Sequence, residues 1–233
     1  MIEDLDFETY LYISKDKFQI FVLNKKKLKN LYSQELKIDH QFDFKDLNIL
    51  LNFLDKNIYK IEKLIGNFIK NIILIVENEK NLKINMGIKK SYETSLKQKS
   101  LSSNLTELKD LFKKNYQDQT IMHMCIINYI IDGKRYSSFD TKLINDYFCI
   151  EVSFIAIDNK LVFALDNVLE KYQIKIKQYM CGNYINNFIG DTGDEISIIA
   201  NKLRNGLNIN EITIVPKHKE NKGFFEKFFQ LFS

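Results

Sequence analysis

A single proline, Pro216, and eight glycines leave this sequence little material for loops. Fibrous, linker-like or low-complexity chains need far more of both, so a packed body is expected. The glycine scarcity also removes the phosphate-cradling loops, and neither a P-loop nor a dinucleotide-binding glycine pattern is present. Cysteine is scarce too. Cys125, Cys149 and Cys181 are odd in number, widely spaced and form no C-x-x-C pair, and two of them sit in apolar strand-like runs. They read as buried thiols in a reducing compartment, not as a disulfide framework or a zinc site. No stretch approaches the 18 or so apolar residues of a membrane span. The first residues, Met1 to Asp6, are acidic and lack the apolar core of a secretory signal, so the expectation is a protein that is cytoplasmic or peripheral on the inner membrane.

What is present is apolar and aromatic. Of 233 residues 45% are hydrophobic, with 18 Phe and 12 Tyr, enough for a substantial core. The 34 basic and 30 acidic residues give a net charge of +4, compatible with an anionic membrane surface and too weak to imply nucleic acid. Lys89-Lys90 beside Tyr92 is the nearest thing to a nucleic-acid patch, and one lysine pair is little.

Tyr10–Ser14 and Phe18–Leu23 are β-branched and aromatic runs around Ser14-Lys15-Asp16-Lys17, which reads as a hairpin. A third strand is predicted over Leu28–Ile38, broken near Ser33. A helix follows over Phe44–Ile69, with Leu47, Leu50, Leu51, Leu54, Ile58, Ile61 and Ile65 at helical spacing, Asp43 as N-cap and Asp46 echoing a capping box. Ile72–Val76 is apolar throughout, as a strand buried on both faces must be. Residues 77–103 are polar and lysine-rich, with short strands at Leu82–Met86 and near Tyr92, and mark a boundary. Asn104 then caps a helix to Tyr116, and strands run over Thr120–Ile131 and Phe148–Ile157, the first ending in the Asp132-Gly133 turn. Asp158 opens a helix over Lys160–Tyr172, Gln173–Tyr179 alternates as a half-exposed strand, 194–206 is helical, and Ile212–Val215 is a last strand.

Candidate chemistry is thin. His123 lies between two methionines in an apolar strand and reads as a packed histidine, while His40 and His218 have no partner at ligand spacing. No HExxH, GxSxG or Cys–His arrangement occurs. Asp132 and Asp158 stand at strand ends, where turn and cap roles account for them. Asp191-Thr192-Gly193-Asp194 has the composition of an acidic phosphate clamp, but one glycine in four residues reads better as a turn before a helix. The sequence therefore predicts no enzyme, no catalytic residue, no metal site and no cofactor.

The chain's last stretch is different in kind. Wound at about 100° per residue, Phe224, Phe225, Phe228, Phe229, Leu231 and Phe232 fall within roughly 160°, with Glu226, Lys227, Gln230 and Ser233 opposite. Such a helix can dock on its own body, lie in a membrane interface or fill a partner's groove. The polar spacer Pro216–Asn221 favours the last two.

The order of elements resembles FtsA, the actin-like bacterial protein that anchors the division ring to the membrane. The resemblance rests on the hairpin, long helix and buried strand, on Tyr129-Ile130-Ile131-Asp132-Gly133 at the turn of the inserted unit, on the strand–helix–strand from Phe148 to Tyr179, and on the tail from Gly223 to Phe232. It implies an α+β fold: a truncated actin-like subdomain with an inserted SHS2-like strand/helix subdomain and a C-terminal amphipathic helix. The implied divisions are 1–80 for the partial actin-like subdomain, 81–180 for the SHS2-like subdomain, 181–215 completing the body, and 216–233 for linker and membrane-targeting helix. Only about 35 residues, 181–215, stand where an FtsA carries its second actin-like half. The family's first phosphate loop, Asp-x-Gly, falls at Ile13-Ser14-Lys15-Asp16, which lacks the pattern, so ATP binding is not carried over. The resemblance implies a cell-division adaptor whose membrane-binding residues are Lys222, Phe224, Phe225, Lys227, Phe228, Phe229, Leu231 and Phe232. Its expected partners are anionic lipid, cell-division proteins such as FtsZ or other divisome components, and copies of itself, with no nucleic acid. The alternative is a soluble interaction module whose tail docks in a partner groove.

Overall fold

A computed structural model describes residues 6–39, 42–91, 98–137, 147–190 and 193–212, with the side chains of 98–100 left aside. The tail residues Lys222, Phe224, Phe225, Lys227, Phe228, Phe229, Leu231 and Phe232, and the last strand beyond Ile212, lie outside the described residues. The fold is α+β. It divides into two compact units, one made of the chain up to Asn81 with Asp158–Leu207, the other of Leu82–Ile157 with the chain from Asn208.

The first unit is built on a five-stranded mixed sheet. Strands β1 (Phe7–Ile13), β2 (Lys17–Asn24) and β3 (Lys29–Lys37) form an antiparallel meander, and β4 (Asn71–Val76) and β9 (Lys175–Cys181) add to its β1 side in parallel, giving the order β3-β2-β1-β4-β9. The apolar run of β4 has its cause here, because both faces of the sheet centre are covered. On one face Tyr10, Tyr12, Phe21, Leu23, Ile73, Ile75 and Met180 pack with Ile185 of α4 (Gly182–Asn186) and with Ile196, Ile199, Ala200 and Leu203 of α5 (Ile196–Arg204). The alternate set, Leu11, Ile13, Phe18, Ile20, Val22, Ile72 and Leu74, is equally buried, and Phe53 of α1 (Asn48–Ile65) reaches the Phe18 ring at 6.0 Å. Helix α3 (Asn159–Glu170) lies beside β9, whose Tyr179 hydroxyl donates to Val162 O at 3.2 Å and to Asp166 Oδ1 at 2.8 Å.

The second unit carries a four-stranded sheet in the order β5-β8-β6-β7, from β5 (Leu82–Ser91), β6 (Gln119–Ile131), β7 (Lys134–Tyr136) and β8 (Tyr147–Asp158). One face packs against α2 (Gln98–Asn115) through Leu105, Leu108 and Phe112, with Phe112 stacked on Phe154 at 4.7 Å. The chain returns to this unit near its end. Ile212 enters the same core, its amide donates to Met124 O at 2.8 Å, and Glu211 bridges Cys125.

Several expectations are corrected. The first stretch of the second unit ends at Ile157, not at 180, because the parallel pairing of β4 with β9 ties residues 158–181 to the first sheet. Helix α1 starts at Asn48, not Phe44. Phe42 is buried edge-on against Phe18 at 4.7 Å, which holds 42–46 in turns where Asp43 and Asp46 accept from the amides of Lys45 and Asn48. It ends at Ile65 because Gly66 takes the left-handed conformation, φ +70°. Asn104, read as an N-cap, is buried inside α2. Strand β3 is continuous at Ser33; its irregularity is a register shift opposite Val22/Leu23. The short strand at Leu82–Met86 is the start of one ten-residue strand.

The N-terminal end of β1 carries a half-buried ion cluster. Glu8 Oε2 accepts from Arg204 at 2.6 Å, from the Tyr10 hydroxyl at 2.8 Å and from Asn201 Nδ2 at 3.2 Å, and Lys177 stands 3.6 Å from Oε1. Burial works to raise the Glu8 carboxyl, and Arg204, the Tyr10 bond and Lys177 outweigh it, leaving its pKa below the ordinary value. A depressed folded-state pKa contributes stability above the unfolded value, and that contribution is lost as pH falls through the folded value. Glu8→Gln should therefore be least stable relative to wild type above the ordinary carboxylate range, with the gap closing as pH falls below it, read by urea denaturation across pH. A second prediction concerns Gly182. A Cβ there would stand 2.7 Å from Glu77 Cβ and 3.1 Å from Glu77 Cα, so Gly182→Val should lower unfolding stability by about 2 kcal/mol in the same assay.

Candidate functional site

The parallel strands of the first unit end together at Ile13, Val76 and Cys181, and the strand order reverses between β1 and β4. Sheets of this kind hold ligands at such a switch point, outside the carboxyl ends of the strands. A cleft of about 380 Å³ lies there, lined by Tyr12, Ser14, Asp16, Glu77, Asn186 and Glu195 among others. Its floor is a clasp around one carboxylate. Glu77 Oε2 accepts from the Tyr12 hydroxyl at 2.6 Å and from Asn186 Nδ2 at 2.7 Å, and the Glu77 amide donates to Ile13 O at 2.8 Å. Burial and then the Glu77 bond push the Tyr12 phenol well above its ordinary pKa, so it stays a protonated donor. Gly182 lets the end of β9 approach the Glu77 backbone closely.

The hairpin on the cleft rim is the position of the phosphate loop that the FtsA resemblance implies. Its geometry does not fit a phosphate. Ser14 Oγ accepts from the amides of Asp16 at 3.3 Å and Lys17 at 3.1 Å and donates to Lys17 O at 3.1 Å, so the donors that would face an anion are turned inward. Asp16, Glu77 and Glu195 add negative charge to the lining, while Lys17 is drawn 3.5 Å from Glu35. What the arrangement does is hold three strand ends in register. Among the described residues no group of three or more His, Cys, Asp or Glu side chains is placed to hold a metal ion.

Of the residues set aside in the sequence, His123, Asp132, Asp158 and Asp194 are described, each with a neighbouring partner. His123 is buried in β6 with Nδ1 2.6 Å from Glu211 Oε1. Asp132 sits in the turn at φ +47° and accepts from the Tyr147 amide at 3.0 Å. Asp158 caps α3, accepting from the Lys160 amide at 2.7 Å. Asp194 pairs with Lys202 at 2.5 Å, whereas Asp191 and Thr192, like His40 and His218, are outside the described residues. The clasp itself had no signature to find, since Tyr12, Glu77 and Asn186 are separated by 65 and 109 positions and only the register of β1, β4 and β9 brings them together.

No protein-family model matches the chain, and no curated protein matches it. Solved structures that align with it include the cytoplasmic domain of EpsL, an inner membrane component of the type II secretion system of Vibrio cholerae, at 9% identity and TM-score 0.34 over 76% of this chain and 56% of that one; the PilM-PilN type IV pilus biogenesis complex, at 7% and 0.45 over 78% and 49%; and a Bacteroides thetaiotaomicron protein with actin-like ATPase fold and unknown function, at 15% and 0.32 over 81% and 58%. The chain spans about half the length of the structures it matches, between 49% and 58%. At these scores the likenesses fix neither function nor partner.

The filled hairpin gives a direct test. A ligand at 100 times its dissociation constant adds about 2.7 kcal/mol of stability. Magnesium-ATP at about 1 mM should leave the thermal midpoint of the full chain unchanged, and a saturable rise in that midpoint would show that the cleft accepts nucleotide after all.

Proposed function

We propose that this chain is a reduced, nucleotide-free relative of FtsA that works as a cell-division adaptor. Its C-terminal segment holds it at the cytoplasmic face of the inner membrane, and its α+β body meets division proteins, FtsZ or other divisome components, and further copies of itself. The observation that supports this reading is an interruption. The order β–β–β–α–β of the first unit breaks off after β4, a compact α+β unit follows, and α3 and β9 then resume the first sheet. That is where the resemblance to FtsA places an inserted, SHS2-like subdomain. The quoted turn supports it as well: β6 stops at Ile131, Asp132 and Gly133 take φ +47° and +83°, and β7 pairs back antiparallel.

The membrane role rests on the tail's pattern. Burying five or six Phe and Leu side chains at roughly 1.5–3 kcal/mol each grosses about 10 kcal/mol, which shallow insertion and ordering reduce to reversible binding. Phe225, Phe228 and Phe229 carry the insertion, and Lys222 and Lys227 meet anionic headgroups. Self-association then strengthens attachment through avidity.

Flotation with anionic liposomes tests the reading. The full chain should float, whereas a chain ending at Lys219, or one carrying Phe228→Asp with Phe229→Asp, should stay in the soluble fraction. If the double variant floats as well as the wild type, the tail is not the anchor; if nothing floats, the tail serves a protein groove instead.

A further inference from the structure

Four strands stand at the edges of the two sheets, and three of them are blunted in the way natural edges are. β3 carries a register shift opposite Val22/Leu23, β9 carries one opposite Ile72/Ile73, and β7 is three residues long. β5 is unlike them. It pairs with β8 in unbroken antiparallel register over ten residues, from Leu82↔Ala156 to Ser91↔Tyr147. Among the described residues no strand lies against its other side.

The side chains of β5 form two rows. Leu82, Ile84, Met86 and Ile88 are half-buried against the core of the second unit, while Lys83, Asn85, Gly87, Lys89 and Ser91 are exposed on the opposite face. The charge on that open row is all positive. Glu151, opposite Gly87, is taken by Asn128 at 2.7 Å and faced by Arg135 at 3.7 Å. Lys90, on the other row, is matched by Glu107 of α2 at 2.9 Å.

These features select an occupant. A second copy of β5 laid antiparallel with Met86 opposite Met86, the register that keeps the two apolar rows on one face, would set Lys83 against Lys89, and like charges directly opposite one another are destabilising. A strand with carboxylates at alternate positions meets Lys83 and Lys89, and its intervening apolar residues continue the row of Ile84, Met86 and Ile88. We infer that β5 is a docking edge for an extended, acidic–apolar alternating peptide of a partner protein, which adds to the second unit as a fifth strand. Main-chain bonds supply affinity in this mode, and the alternating side chains supply selectivity. The inference deepens the adaptor reading by giving the chemistry of the protein partner; it needs no membrane, so its outcome is separate from that of the flotation assay.

The test uses the full chain and a fluorescein-labelled decapeptide of alternating Val and Glu, read by fluorescence polarisation. A control peptide has the same ten residues in two blocks, five Val then five Glu, with equal charge and no strand alternation. The alternating peptide should bind at least tenfold more tightly than the block peptide. Lys83→Glu with Lys89→Glu should abolish that binding, and the milder Lys83→Gln with Lys89→Gln should weaken it while leaving the thermal midpoint unchanged. Amide hydrogen exchange in Lys83–Ser91 should slow when the alternating peptide is bound. Equal binding of both peptides, undiminished binding to the charge-reversed chain, or slowed exchange elsewhere with none in β5 would each overturn the docking edge.

Discussion

The parallel pairing of β4 with β1 on one side and β9 on the other governs this structure. A central strand bonded along both edges and buried on both faces favours apolar residues, and Ile72-Ile73-Leu74-Ile75-Val76 supplies them. Parallel neighbours cannot be joined by a tight turn, so the chain must travel before it returns. Between β1 and β4 it travels through two antiparallel strands and α1. Between β4 and β9 it travels through Leu82–Ile157 of the second unit and α3. The split of the body into two units, and the need for glycine where β9 meets Glu77, both descend from that pairing.

Within the first unit one polar device recurs. Tyr10, Tyr12, Tyr172 and Tyr179 each donate a hydroxyl to a carboxylate, on Glu8, Glu77, Asp55 and Asp166, at distances from 2.6 to 2.8 Å. Such charge-assisted bonds are about twice as strong as neutral ones. In all four, burial and the neighbouring carboxylate push the phenol upward. The tyrosines give the core large apolar rings while anchoring the carboxylates at its rim. Acidic side chains near strand ends are thereby clasped, Glu8 by Tyr10 and Glu77 by Tyr12.

The sequence disclosed elements whose cause is local. The apolar run of β4, the alternation of β9, the Asp132-Gly133 turn and the Asp158 cap each depend on a few neighbouring residues, and each was legible. What escaped depends on distant partners. Phe42 looks like the approach to a helix until Phe18 captures it. Asn104 satisfies every local rule for a cap, yet α2 begins at Gln98 and buries it. The 158–181 segment reads as a continuation of the strands before it, and only its pairing with β4 assigns it to the other unit. The clasp around Glu77 was invisible for the same reason.

The return of Asn208–Ile212 to the second unit bears on how the chain comes to be folded during synthesis. Neither unit is written in one continuous stretch: the first sheet lacks an edge until Cys181 has emerged, and the core around Met124 lacks Ile212 until almost the whole chain has. Contacts of such long sequence separation close late. An emerging chain thus holds two half-built units at once: the first waits for the edge strand β9 and for α5, and the second waits longer still, for Ile212, which follows the first unit's last residue, Leu207.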